Sequence, residues 1–111
     1  MKKIFIILYI FLVLFHISNA QKTDSLFSAA FMKYQKGDYK GSIEVYSKII
    51  KIKPDYYDAY INRAISYDKT GEYKKALDDF NTVIQLKPFY MLPWMNREFY
   101  LLKILPNWYF Q

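Results

Sequence analysis

Apolar and polar positions alternate along this chain in two different ways. From Ile4 to Phe15 every one of twelve residues is apolar or aromatic, preceded by Lys2 and Lys3. After Gln21 the pattern becomes periodic, and apolar residues recur at three- and four-residue intervals, the spacing of one helix face. Thr23, Asp24 and Ser25 can each cap a helix N-terminus, so a first helix is expected from about Ser25 to Lys36. Gly37 follows and supplies the left-handed residue that ends a helix at little steric cost. A second helix is expected over about Tyr39 to Lys53, with Ile43, Tyr46, Ile49 and Ile50 inward. Pro54 stops it, because the residue before proline is pushed out of helical conformation. A third is expected over Tyr57 to Thr70, carrying Tyr60, Ala64 and Tyr67 on one face, and it ends at Gly71. The fourth, Tyr73 to Lys87, turns Leu77, Phe80, Val83 and Ile84 inward and ends at Pro88.

These helices repeat. Gly37 and Gly71 lie 34 residues apart, as do Pro54 and Pro88. Tyr39 corresponds to Tyr73, Ile43 to Leu77, Tyr46 to Phe80, and Ile52 to Leu86. Ala30 with Ser42, and Ala64 with Ala76, are small residues where the two helices of a repeat would cross, and a large side chain there would hold the helices apart.

A 34-residue unit of helix, Gly-acid-Tyr turn, helix and Pro resembles the tetratricopeptide repeat. The resemblance covers about residues 24 to 104 and implies an all-α fold: two full repeats plus one extra helix, stacked as a short right-handed solenoid. Repeat one would span about 23–56, repeat two 57–90, and an incomplete third 91–111. In this family the first helix of each repeat lines a concave groove for a peptide or a partner's helix. The groove positions carried over are Asp24, Phe27, Ser28, Phe31, Tyr34 and Gln35, then Asp58, Ile61, Asn62, Ile65, Asp68 and Lys69, then Leu92, Met95, Asn96, Phe99, Leu102 and Lys103. Phe27, Phe31, Ile61, Ile65, Met95 and Phe99 would form an apolar ladder, and Asn62 and Asn96 could bond an extended backbone through their amides. The bland alternatives are that the ladder is covered by the tail or by a second copy, and that the asparagines are ordinary surface residues. One subclass clamps the carboxylate end of chaperones with Lys, Asn and Arg. Here Phe27, Phe31, Leu92 and Asn96 stand where four of those residues are needed and only Asn62 matches, so that clamp is not expected.

The third repeat begins in register, with Trp94 opposite Tyr60 and Asn96-Arg97 echoing Asn62-Arg63. Glu98 then takes the small-residue position, and Leu105-Pro106-Asn107 replaces the turn. A last helix over about Leu92 to Ile104 would be apolar nearly all round, where terminal repeats normally show a polar outer face. Three readings stay open: the tail through Trp108, Tyr109 and Phe110 folds back, the chain forms a homo-oligomer through this helix, or the repeat array is truncated.

Composition changes the picture chiefly by exclusion. There is no cysteine, and the only histidine, His16, lies in the N-terminal apolar segment. Two cations, the apolar run and Ser18-Asn19-Ala20 follow the plan of a secretory signal peptide of bacterial style, with residues 1–20 cleaved and residues 21–111 exported to a periplasm or secreted. An apolar run of twelve is short of the roughly 20 residues that span a bilayer, so membrane attachment is expected only if this segment stays uncleaved. Without it the chain has neither the commonest general base nor a thiol nucleophile. No catalytic residue, metal ligand or cofactor is predicted. The net charge of +6 falls to about +4 without Lys2 and Lys3, and the lysines are interleaved with acids rather than gathered on one face, so nucleic acid is not an expected partner. The acidic pair Asp78-Asp79 diverges by about 100° on a helix and is expected on a solvated face rather than at a metal. Glu44 with Lys48, and Asp78 with Thr82, are expected there too. The function expected is a non-enzymatic protein-interaction module. The alternative is a structural, self-associating subunit or array remnant with no ligand of its own.

Overall fold

A computed structural model describes residues 1–105. Those residues form α1 (Lys2–Gln35), α2 (Tyr39–Ile52), α3 (Tyr57–Lys69), α4 (Tyr73–Leu86) and α5 (Met91–Ile104), with no strand among them. The expectation that Trp108 to Phe110 fold back lies outside the described residues. Each helix packs against the next in sequence, which gives an antiparallel, all-α stack.

Both glycine turns form as the pattern predicts. Gly37 sits at φ +82° and Gly71 at φ +78°. Each is followed by the six-to-one bond that closes a helix end: Asp38 N–H donates to the Lys33 carbonyl at 2.9 Å, and Glu72 N–H to the Tyr67 carbonyl at 2.9 Å. Asp38 also caps α2 by accepting from Gly41 N–H at 3.0 Å. That bond, and then Lys33, hold its carboxyl below the usual carboxylate range. The four small positions Ala30, Ser42, Ala64 and Ala76 are completely buried at the helix crossings.

One helix boundary differs from expectation. The capping residues Thr23, Asp24 and Ser25 begin nothing, because α1 runs unbroken from Lys2. No Gly or Pro interrupts residues 2–35, and a helix already nucleated upstream extends at no further nucleation cost. Thr23 instead turns its hydroxyl back to the Ala20 carbonyl at 2.8 Å, as a mid-helix threonine does. Continuity also joins the apolar segment to the stack without a break. Among the described residues α1 is the one helix long and apolar enough to cross a membrane, a test that signal sequences pass as well.

The core forms two clusters. Ala30, Val45, Tyr46, Ile49 and Ala59 form one buried cluster. Ile61, Ala64, Ala76, Phe80, Val83 and Tyr100 form the other. A buried side-chain tie joins the repeats. Ser42 and Ser66, both fully buried, meet at 2.8 Å between α2 and α3. Since Ser66 donates to the Asn62 carbonyl, the shared proton comes from Ser42.

Candidate functional site

The first helices of the units, α1, α3 and α5, alternate with α2 and α4, and the expected binding residues lie on the former. The structure distributes them unevenly. Phe31 is open to solvent at 45% exposure, as are Met95 at 64% and Phe99 at 50%. Ile65 is half-buried and packs on the second core cluster. Phe27 is also half-buried, edge-on to Tyr46 at 5.4 Å and tilted against Tyr56 at 5.8 Å. Tyr34 leans on Tyr39 at 5.3 Å across the first turn. Ile61 is only 6% exposed and belongs to the cluster of Phe80 and Tyr100, so its side chain faces the helix interface instead of a groove.

The polar positions are similarly divided. Asn62 spends its amide N–H on the Asp58 carbonyl one turn back, at 2.8 Å, which leaves its carbonyl oxygen for other partners. Asn96 is half-buried, and Lys69 is exposed. Asp68 is held by Lys103 of α5 at 2.9 Å, a direct bond between two first helices. Lys103 Nζ lies 4.4 Å from the ring centres of both Tyr73 and Phe99, so this ammonium serves the α3–α5 junction as well as the surface. Of the remaining positions, Asp24, Ser28 and Gln35 are exposed, as are Leu92 and Leu102, and Asp58 is half-buried.

Asp78 and Asp79 require a correction. Asp78 is exposed as expected, but Asp79 is 4% exposed and lies between helices. Arg63 of α3 grips it with a fork, Nε to one carboxylate oxygen at 2.8 Å and Nη2 to the other at 2.6 Å. The same guanidinium donates from Nη1 to the Ser47 hydroxyl of α2 at 3.1 Å. Tyr60 and Tyr67 cover its faces at 5.7 Å. Helix geometry explains the miss: the 100° between neighbours that keeps two aspartates from sharing a ligand also sends one of them inward. Burial pushes the Asp79 carboxyl above its usual range against the opposing pull of Arg63. The hydrogen bond from Arg63 to Asp79 in turn raises the guanidinium above its own ordinary value. A buried, bidentate pair that also reaches α2 orders three helices, and nothing about it presents a reacting group to solvent.

A second feature unforeseen in the sequence follows the repeat period. Tyr60 donates its hydroxyl hydrogen to the Pro54 carbonyl at 2.8 Å, and Trp94 donates its indole N–H to the Pro88 carbonyl at 3.1 Å. The two donors and the two acceptors are each 34 residues apart, so α5 enters the stack by the bond that α3 uses. Leu26, their counterpart in α1, has no such donor.

Comparison with known proteins agrees with this period. The family model described as tetratricopeptide repeat matches residues 57–90, and one described as TPR repeat matches residues 32–71. Comparison with the curated proteins returned no significant match. Several solved structures are similar. The Sgt2 TPR domain from Aspergillus fumigatus aligns over 71% of this chain with a TM-score of 0.67 and 24% identity. This chain spans about half of that one, 52% of its length. The first TPR of Spaghetti (RPAP3), bound to the HSP90 peptide SRMEEVD, aligns over 75% of this chain and 68% of its own, with a TM-score of 0.68 and 26% identity. The second TPR domain of human RPAP3, in complex with an HSP70 peptide, covers 77% and 73%, with a TM-score of 0.69 and 24% identity.

Proposed function

Because the chain belongs to the tetratricopeptide repeat family, we propose that it is an exported, non-enzymatic module that binds a peptide or protein segment along the first helices of its repeats. The observation that carries this reading is the set of rungs left open there: Phe31 on α1, Ile65 half-open on α3, and Met95 and Phe99 on α5. The peptides bound to the similar structures support a peptide ligand in general. The ligand class differs, however. An acidic chain end needs cations, and this chain sets Phe27, Leu92 and Asn96 where the clamp has Lys or Arg. Apolar and aromatic rungs select a segment with apolar anchors, aligned by the free carbonyl of Asn62 and the amide of Asn96.

The test is capture of an aromatic-rich peptide selected from a random library on the full chain. Phe31→Ala with Ile65→Ala removes two rungs, and the loss of apolar contact weakens capture by about tenfold or more. Helicity and oligomeric mass stay as they were, since neither side chain lies wholly in the core. Undiminished capture would sink the groove reading. An oligomer held through the open face of α5, with no peptide bound, would favour the self-associating subunit instead.

Export rests on the N-terminal segment, whose cations, apolar run and small residues before Gln21 support a leader removed after Ala20. N-terminal sequencing of the secreted or periplasmic product is expected to begin at Gln21. A product that retains Met1 would mean that the segment remains as an anchor.

A further inference from the structure

α5 is placed as a first helix, yet among the described residues no second helix follows it. On α3 the second helix α4 covers Ile61, at 6% exposure, and Ala64, at 0%. Their counterparts 34 residues on are Met95, at 64%, and Glu98, which is exposed as well. An arginine repeats the contrast. Arg63 forks onto Asp79 of α4. Its counterpart Arg97, half-buried over the Trp94 ring at 5.6 Å, meets no carboxylate among the described residues. The open face of α5 therefore fits an antiparallel helix that presents apolar residues and one acid.

α5 itself carries that pattern. The inward residues of α4 are Tyr73, Ala76, Asp79, Phe80 and Val83. Nineteen positions later stand Leu92, Met95, Glu98, Phe99 and Leu102, all of them exposed. The apolar members, at 92, 95, 99 and 102, keep the three-four-three spacing of a helix seam. Two copies of α5 laid antiparallel can thus each serve as the other's second helix. The α3–α4 contacts transfer onto such a pair without conflict. Arg63 to Asp79 becomes Arg97 to Glu98 of the partner subunit, and Ile61 to Phe80 becomes Met95 to Phe99 of the partner subunit. A two-fold axis makes each contact twice. Met95 and Glu98 stand where α3 and α4 cross on alanines, so the two copies of α5 lie further apart than α3 and α4 do. Methionine, with its flexible side chain, suits the wider gap.

We infer that the face of Leu92, Met95, Glu98, Phe99 and Leu102 is the two-fold interface of a homodimer, closed by reciprocal Arg97–Glu98 pairs. A second copy is favoured over another protein because its own α5 supplies, at one register, both the apolar seam and the carboxylate that Arg97 lacks. The first helices all run in one sense, so a two-fold pair sends the two copies of α1 opposite ways. One bilayer could not hold both leaders, and pairing therefore belongs to the product that begins at Gln21. None of the apolar window of α1 is buried, so its removal takes nothing from either core cluster. Met95 and Phe99 are also rungs for the proposed peptide, so peptide and second copy exclude each other on α5. That consequence rests on the peptide reading, whereas the pairing itself does not.

Sedimentation of residues 21–111 across a range of concentrations tests the pairing. The parent chain should show twice the monomer mass, and Phe99→Asp should be monomeric with its helicity kept. Arg97→Glu and Glu98→Arg should each raise the dissociation constant by about tenfold or more, since like charges then face each other across the axis. The two changes together should restore pairing, because the reciprocal pair forms again with its signs exchanged. A parent chain that stays monomeric would overturn the inference, whether α5 is then open or covered by residues 106–111. So would a dimer indifferent to Phe99→Asp, or a double variant that pairs no more tightly than the single ones. At equal concentration Arg97→Glu should capture more of the selected peptide than the parent chain does. Pairing by the parent with no capture by parent or variant would uphold this inference and overturn the peptide reading alone.

Discussion

Arg63→Met, with Asp79 left in place, is expected to cost about 3–5 kcal/mol at neutral pH, the usual cost of stranding one member of a buried ion pair. For a small domain that is a large part of the whole stability. The cost follows from the geometry. Asp79 accepts from the guanidinium at both oxygens and is almost without solvent, so the variant leaves a carboxylate with neither partner nor water. The loss should also depend on pH in a definite direction. Burial already holds the Asp79 carboxyl above its ordinary value, and Arg63 supplies both of the influences that lower it. Without Arg63 it rises further. A folded-state carboxyl raised above its unfolded value is a group for which the folded chain binds protons more tightly. Stability is therefore fullest below the unfolded value near 3.8 and falls as pH rises through the folded value. Melting of Arg63→Met followed from pH 3 upward should show a widening deficit against the parent chain. The double variant Arg63→Met with Asp79→Leu should recover most of it, because no charge is then left buried. A single variant that melts with its parent at pH 7 would show that the pair is solvated rather than structural.

The sequence disclosed those features that one residue type can impose alone. Gly37 and Gly71 had to mark turns because only glycine takes their positive φ without strain, and Pro54 and Pro88 had to end helices. The small positions were equally plain, since the 34-residue period aligns Ala30 with Ala64 and Ser42 with Ala76. What stayed hidden depends on a partner far away in sequence. Asp79 reads as one of two surface acids until Arg63, 16 residues earlier, is seen to reach across from the preceding helix. Ser66 has the look of an exposed helical serine until Ser42 meets it. Ile61 was placed on the groove by family position, and the packing of α5 with Tyr100 draws it into the core instead. Of the candidate ladder, the sequence could not say which rungs stay open, because that depends on the arrival of the fifth helix. The start of α1 differs for the opposite reason. Thr23, Asp24 and Ser25 are good caps, but nothing upstream of them breaks the helix.

Phe80→Ala is the second large effect, and it reads out the docking of α5. Phe80 is fully buried in the cluster of Ala64, Ala76 and Val83. Its ring stacks on Tyr100 at 5.5 Å and 18°, and Tyr100 stacks in turn on Tyr73 at 6.2 Å. Truncation removes about 3–5 kcal/mol of core packing, together with an aromatic pair that contributes about 1 kcal/mol beyond its area. In a domain of this size the melting temperature should fall by about 20 °C. Phe89→Ala, the same chemical change at a ring wholly in solvent, should leave melting where it was. The phenol of Tyr100 supplies a local report. Burial, aided by the nearby Asp68 carboxylate, pushes it up to about 12 from its ordinary 10. Stability drawn from that shift is present below pH 10 and lost as pH rises towards 12, and Tyr46, likewise pushed up to about 12 by burial, loses its share in the same interval. In Phe80→Ala the ring of Tyr100 loses its cover, so one tyrosine should titrate closer to 10 while Tyr46, in the other cluster, keeps its value. Amide exchange in α5 should quicken before that in α2. If both helices exchanged together and both phenols moved, the two core clusters would be a single cooperative unit, and α5 could not leave without unfolding the first repeat.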